Sequence, residues 1–137
     1  MSEKADLTHI PEPDGVAPGN GYTNVVTGVG RLVVVSGQIA LDASGRLVGE
    51  GDPEAQARQV FENLRRCLAS ARVGFDEVVK LTYFVTDVGF LPAIRRARDE
   101  VVDMSRPPAS TAVQVSALFR PDLLLEVEAY ALAPAGS

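Results

Sequence analysis

A chain of 137 residues has room for one hydrophobic core and too little for two. Its 18 acidic residues outnumber 13 basic ones, giving a net charge of −5 with no basic run, so it lacks the electrostatic footprint of a nucleic-acid binder. A single cysteine, Cys67, excludes an internal disulfide, and no apolar run approaches the length of a membrane span.

The N-terminus lacks the basic-then-apolar pattern of a signal peptide, so a cytoplasmic protein is expected. Residues 1–21 are rich in Pro and Gly (Pro11, Pro13, Gly15, Pro18, Gly19, Gly21) and predict an irregular N-terminal arm. The domain proper is expected over 22–133, with 134–137 as a tail. Residues 22–27 and 31–40 predict two strands, with Gly28 and Gly30 allowing a tight turn between them. Leu32, Val33, Val34 and Val35 are apolar at every position, as in a strand covered on both faces. Turn chemistry fills 41–52, notably Asp42, Ser44 and Gly45.

A helix then starts sharply. Asp52 can cap it, Pro53 suits the first helical position and Glu54 complements the positive end of the dipole. Val60, Phe61, Leu64, Cys67, Leu68 and Ala71 form one apolar stripe, and Gly74 is expected to close the helix in a left-handed conformation. Residues 78–86 alternate as a strand, with Val79, Leu81, Tyr83 and Val85 on one face. A second helix is predicted from about 90 to 103, with Leu91, Ile94, Ala97 and Val101 inward and Pro92 in its first turn. Pro107 and Pro108 stop it. Strands at 110–118 and 123–133 complete the order ββαβαββ, an α+β chain with two helices on one face of a mixed sheet.

The other face of that sheet bears on function. In the last strand Glu126, Glu128 and Tyr130 point one way, and Leu125, Val127, Ala129 and Ala131 point the other. In the strand before it Ser110, Ala112, Gln114 and Ser116 share a face. Such a mixed polar face is either solvated or packed on another subunit around a polar pocket. His9, in the arm, is a poor catalytic candidate, and Cys67 reads as an inert core thiol. No His, Cys or carboxylate spacing suggests a metal, and Gly28-Val29-Gly30 reads as a turn rather than a phosphate cradle. Glu126 remains the best general acid or base, against the alternative of a surface strand carboxylate.

Several local sequences, in this order, resemble the RidA (YjgF/UK114) family. They are 35–39 (Val-Ser-Gly-Gln-Ile), 56–60 with 62–64, 78–80 with 82–87, and 125–129 (Leu-Glu-Val-Glu-Ala), spread over about 20–133. The resemblance implies a chorismate-mutase-like fold and a homotrimer whose sheets line a central barrel, with a small-molecule pocket at each subunit boundary. It implies hydrolysis of enamines and imines, such as 2-aminoacrylate and its imine tautomer, with no metal or organic cofactor. It carries Glu126 as the residue that positions or polarises water, Tyr22 as the tyrosine near the pocket entrance, and Gly37 and Ala112 as backbone contacts to the ligand. The sequence departs from the family at Ser110, where arginine-bearing members hold the substrate carboxylate; one hydroxyl cannot replace a planar, two-donor cation. Arg95 is the candidate replacement, with Arg106 and Arg120 as further cations near the last strands. Two functions follow: an arginine-lacking enamine/imine hydrolase of altered substrate range, or a metabolite-binding trimer without catalysis. RNA cleavage, a third activity attached to the family, is disfavoured by the acidic charge.

Overall fold

The computed structural model describes residues 6–136. Its centre is a four-stranded sheet in the order β3-β6-β4-β5, built from β3 (Arg31–Gln38), β4 (Val78–Val85), β5 (Ala109–Gln114) and β6 (Leu125–Ala133). Strand β6 is antiparallel to both β3 and β4, whereas β4 and β5 run parallel. Parallel neighbours need a crossover, and α2 (Leu91–Asp99) supplies it between β4 and β5. The longer helix α1 (Pro53–Ser70) makes the same kind of connection from β3 to β4 over the intervening β6. Both crossovers step in one direction along the sheet, so a shared hand puts both helices on one face.

Helix α1 begins as its sequence dictates, with the Asp52 carboxylate accepting the Ala55 N–H at 3.1 Å and Pro53 opening the first turn. Its Val60, Phe61, Leu64 and Leu68 meet Ile94 and Ala97 of α2 over a floor of Leu81, Val85, Leu125, Val127 and Ala129. This is the expected layer arrangement. Tyr83 is buried in the same layer, its ring 6.4 Å from that of Phe61.

Several expectations are corrected. The arm is not irregular throughout: Asp6–Ile10 forms β1, which pairs antiparallel with β2 (Val25–Val29) in a separate two-stranded ribbon. The element order therefore gains a strand at its start. His9 lies in β1, and Gly28 sits inside β2 opposite Leu7 rather than in a turn. A side chain at Gly28 would strike Leu7 and the Asp6 carbonyl, so close pairing explains this glycine. The left-handed residue after α1 is Arg72, not Gly74, whose φ is −131°. Helix α2 ends at Asp99, leaving Val101 exposed and Val102 buried beyond it. In β4, an irregularity between Val78 and Lys80 turns Val78 inward in place of Val79.

The strand run Leu32–Val35 is covered on one face only. Val33 and Val35 are buried, but Leu32 and Val34 are 61% and 58% exposed. They lie on the face away from the helices, where Val34 is paired with the exposed Tyr130. Among the described residues, no helix is long and apolar enough to cross a membrane.

Candidate functional site

The residues singled out in the sequence gather into two groups. The first lies on the uncovered face of the sheet. Between Val35 and Gln38, β3 contains one residue more than the β6 segment facing it, a bulge that centres on Ser36 and Gly37. The Glu126 carboxylate sits over Gly37 so closely that a methyl group there would overlap it. Glycine at 37 is thus what lets this carboxylate lie against the bulged backbone. Register places Glu126 opposite Phe84 and Glu128 opposite Thr82 on the same face.

Two amide side chains on α1 hold the surroundings of this group. Gln56 is fully buried; its amide donates to the Gly49 and Asp122 carbonyls at 3.1 and 3.0 Å, and its oxygen accepts the Leu124 N–H at 2.9 Å. It fixes the entry to β6 two residues before Glu126. Asn63 donates to the Ile39 and Leu41 carbonyls at 3.0 and 2.9 Å, fixing the exit of β3 just beyond Gly37. Sequence patterning had no means to find these roles, because the partners are main-chain groups, most of them distant along the chain.

The second group surrounds a cavity of about 130 Å³ on the helix side of the β5 edge, lined by Tyr22, Tyr83, Arg95, Arg98, Ser110 and Ala112 among others. The parallel register pairs Ser110 with Leu81 and Ala112 with Tyr83, so both side chains share the face of the buried row. The Ser110 row therefore does not share a face with Glu126, and in a single chain the two groups lie on opposite sides of the sheet. Tyr22 precedes β2 rather than starting a strand. Its loop is tied to the approach of β5 by Thr23, whose hydroxyl donates to the Pro107 carbonyl at 2.5 Å and whose N–H reaches the Pro108 carbonyl at 3.1 Å. Gly19 leaves space for the Tyr22 ring, since a Cβ there would strike the ring edge.

Arg95 lines this cavity, as expected for a compensating cation, but it is exposed. Arg98, which the sequence reading did not single out, is better placed: its side chain is 13% exposed, bonded to Asp99 and to the Gly21 carbonyl. The three-residue spacing from Arg95 was the available signal, because it puts both on one helix face. Among the described residues, the buried Tyr83 hydroxyl has no hydrogen-bond partner. Burial pushes its pKa well above the usual tyrosine value; the neighbouring Arg98 and Arg95 charges offset this in part, without a hydrogen bond of good geometry.

The other two cations are occupied elsewhere. Arg106 donates to the Leu7 carbonyl at 3.2 Å and faces His9, whose pKa is lowered by burial and by that charge. Arg120 is paired with Asp122 at 2.7 Å. A wider depression of about 610 Å³ between the end of β3 and α1 includes Gln59, Asn63 and Cys67 but none of the predicted site residues. Among the described residues, no three His, Cys, Asp or Glu side chains are grouped to hold a metal ion.

The model of the family described as Endoribonuclease L-PSP matches residues 13–133. The chain belongs to this family. Among its L-PSP relatives, the 3-aminoacrylate deaminase RutC of Acinetobacter baylyi is 33% identical over 119 residues, covering 87% of this chain and 93% of that protein. The 2-iminobutanoate/2-iminopropanoate deaminase of Salmonella typhimurium is 32% identical over 106 residues, or 76% of this chain and 81% of that one. The solved structure of YyfB from Yersinia pestis, of the conserved Rid protein family, matches with a TM-score of 0.77 at 33% identity, covering 92% of this chain and 98% of that one. The resemblance to RidA proteins, and the mixed-sheet α+β fold it implied, hold for this L-PSP chain.

Proposed function

We propose that this protein is an enamine/imine deaminase that works at a pocket formed between subunits of a homotrimer. The observation that carries this reading is the Glu126 carboxylate seated on the Gly37 bulge, on an uncovered sheet face, in a chain a third identical over most of its length to two deaminases. A carboxylate at the edge of a protein face, able to be closed off from water by a second subunit, suits proton transfer to and from a bound water.

The reaction needs no redox partner. Water adds across C=N: its oxygen bonds the imine carbon while a proton passes to Glu126 and on to nitrogen, giving a carbinolamine. Collapse of that species forms C=O, breaks C–N and releases ammonia, with Glu126 again carrying the proton. An enamine substrate first takes a proton at its β-carbon and becomes the imine.

The separation of the two groups within one chain supports the subunit assembly. Glu126 and Gly37 face one way, and Ser110, Ala112 and Tyr22 the other, so the proposed site takes the β5-edge pocket of one copy and Glu126 of another. The exposed apolar side chains on the Glu126 face, Leu32, Val34 and Tyr130, favour such cover.

Ser110 favours a second reading, a trimer that binds a metabolite without turnover, because the family's carboxylate-binding arginine is missing. The test is imine hydrolysis across a panel of amino acids, each imine generated by an amino-acid oxidase and competed against semicarbazide trapping. An enzyme speeds imine loss, and Glu126→Gln lowers that rate about a hundredfold or more. Ligand binding by the folded protein with no acceleration for any imine supports the binding reading. RNA cleavage is disfavoured by the net charge of −5.

A further inference from the structure

We propose that Asn63, oriented by Gln59, is a positioning residue: through the turn at 39–41 it sets the Gly37 bulge on which the Glu126 carboxylate is seated. Its effect on turnover rests on the deaminase reading; its effect on the bulge is argued from hydrogen bonds alone.

The Asn63 amide is used in full. Its two N–H donors reach carbonyls two residues apart, Ile39 at 3.0 Å and Leu41 at 2.9 Å. One amide spans both because the chain between them is a three-residue turn, closed by the Leu41 N–H on the Ile39 carbonyl at 2.8 Å. The Asn63 oxygen accepts the Gln59 amide at 2.9 Å, from one helical turn earlier on the same face. A flipped amide would set its oxygen against both carbonyls, so Gln59 selects the donating orientation.

The turn connects directly to the carboxylate. Gln38, beside Ile39, pairs with Val127, the residue after Glu126. That pair and the pair of Val35 with Ala129 are the two ends of the bulge, and Ser36 and Gly37 between them stand against the single residue Glu128. The Gln38 amide closes across the bulge onto the Ser36 carbonyl at 3.0 Å. A shift of the turn therefore moves the Gly37 backbone under the Glu126 carboxylate, which a Cβ at 37 would already overlap. Helix α1 is a firm reference for this clasp, since Val60 and Leu64, beside Gln59 and Asn63, are fully buried.

Solvent access separates positioning from stability. Ile39, Leu41, Gln59 and Asn63 line the depression of about 610 Å³ between the end of β3 and α1, and both amide side chains are only half-buried. Water reaches the two carbonyls when the amide is lost, so little stability goes with it. Water does not hold a turn in one place, and a reacting group misplaced by about 1 Å can lose about a hundredfold in rate.

The experiment pairs amide hydrogen exchange of the full chain with imine turnover, for wild type, Asn63→Asp and Gln59→Ala. Aspartate keeps the shape of Asn63 and has no N–H to give. It is expected to speed exchange at Gln38 and Leu41 about tenfold while Leu81 and Ala129 keep the wild-type rate. It should also lower kcat about tenfold or more with KM within about twofold. Gln59→Ala, the milder variant should Asn63→Asp melt early, shifts exchange and kcat about threefold each. Val73→Ala, a core truncation beyond the end of α1, loosens the fold without touching the clasp and keeps kcat within about twofold. Added to Glu126→Gln, Asn63→Asp removes less than about twofold of the residual rate, because it acts through the missing carboxylate. Exchange in the turn that is unprotected in wild type, or the same in wild type and both variants, overturns the proposal. So does an equal loss of rate with and without the Glu126 carboxylate. Faster exchange with unchanged kcat likewise sinks it and leaves the deaminase reading standing. Absence of imine turnover by wild type is a failure of the deaminase reading alone, and the exchange rates then decide whether the clasp sets the bulge.

Discussion

Tyr83 shows how a residue can be legible for one property and opaque for another. Its place on the inward row of β4 follows from simple alternation, and the structure buries it there. That its hydroxyl would end beside a cavity with two arginines depended on how α2 packs back, which no period encodes. The burial has a consequence for pH. The neutral phenol is favoured in the fold, so its folded pKa lies above the ordinary value of 10.0 that applies in the unfolded chain. Stability from this group is complete below that value and falls as pH rises beyond it, because only the unfolded chain then ionises freely. Urea unfolding at pH 9 and at pH 11 should therefore show wild type losing ground to Tyr83→Phe at the higher pH. A difference that stays constant between the two would mean the hydroxyl is solvated.

At the level of elements, strong local signals were read correctly and long-range pairings were not. The cap and proline that open α1, and the alternation of β6, belong to single segments and appear as expected. Strand β1 was missed because its reason to be extended is β2, some twenty residues away, while the surrounding prolines and glycines argue for a loop. The face of Ser110 was misjudged for a similar reason. Alternation tells which residues share a row, but only the parallel register with β4 tells which side that row faces. Gln56 is the clearest long-range tie, with two hydrogen bonds joining α1 to the approach of β6 and a third to the Gly49 carbonyl in the loop before α1. Gln56→Ala leaves those main-chain groups unpaired and should cost about 3 kcal/mol in unfolding free energy. It should also lower turnover, because β6 carries Glu126. A loss below about 0.5 kcal/mol would mean that water replaces the amide.

For the whole molecule, the sequence showed an apolar β3 but not that one of its faces lies bare in a single chain. Leu32 and Val34, with Tyr130 on the neighbouring strand, form that bare surface on the same sheet face as Glu126. If three copies close over it, light scattering should give three times the chain mass, and Val34→Lys should shift the protein toward monomer while leaving the helix-side core intact. Loss of assembly should then abolish turnover together with the trimer. Monomeric wild type would undo the assembly, and with it the route by which Glu126 meets the β5-edge pocket.

One mixing experiment bears directly on the claim that the site spans two subunits. Two variants expected to be inactive are made: Glu126→Gln, which removes the proposed proton carrier, and Ala112→Phe, which fills the β5-edge cavity. They are unfolded together in equal amounts, refolded, and assayed for imine loss. If each site takes Glu126 from one copy and the cavity from another, random mixing restores about a quarter of wild-type activity, since half the copies supply each intact part. Activity no higher than that of the separate variants, from a mixture that has demonstrably reassembled, would contradict the account.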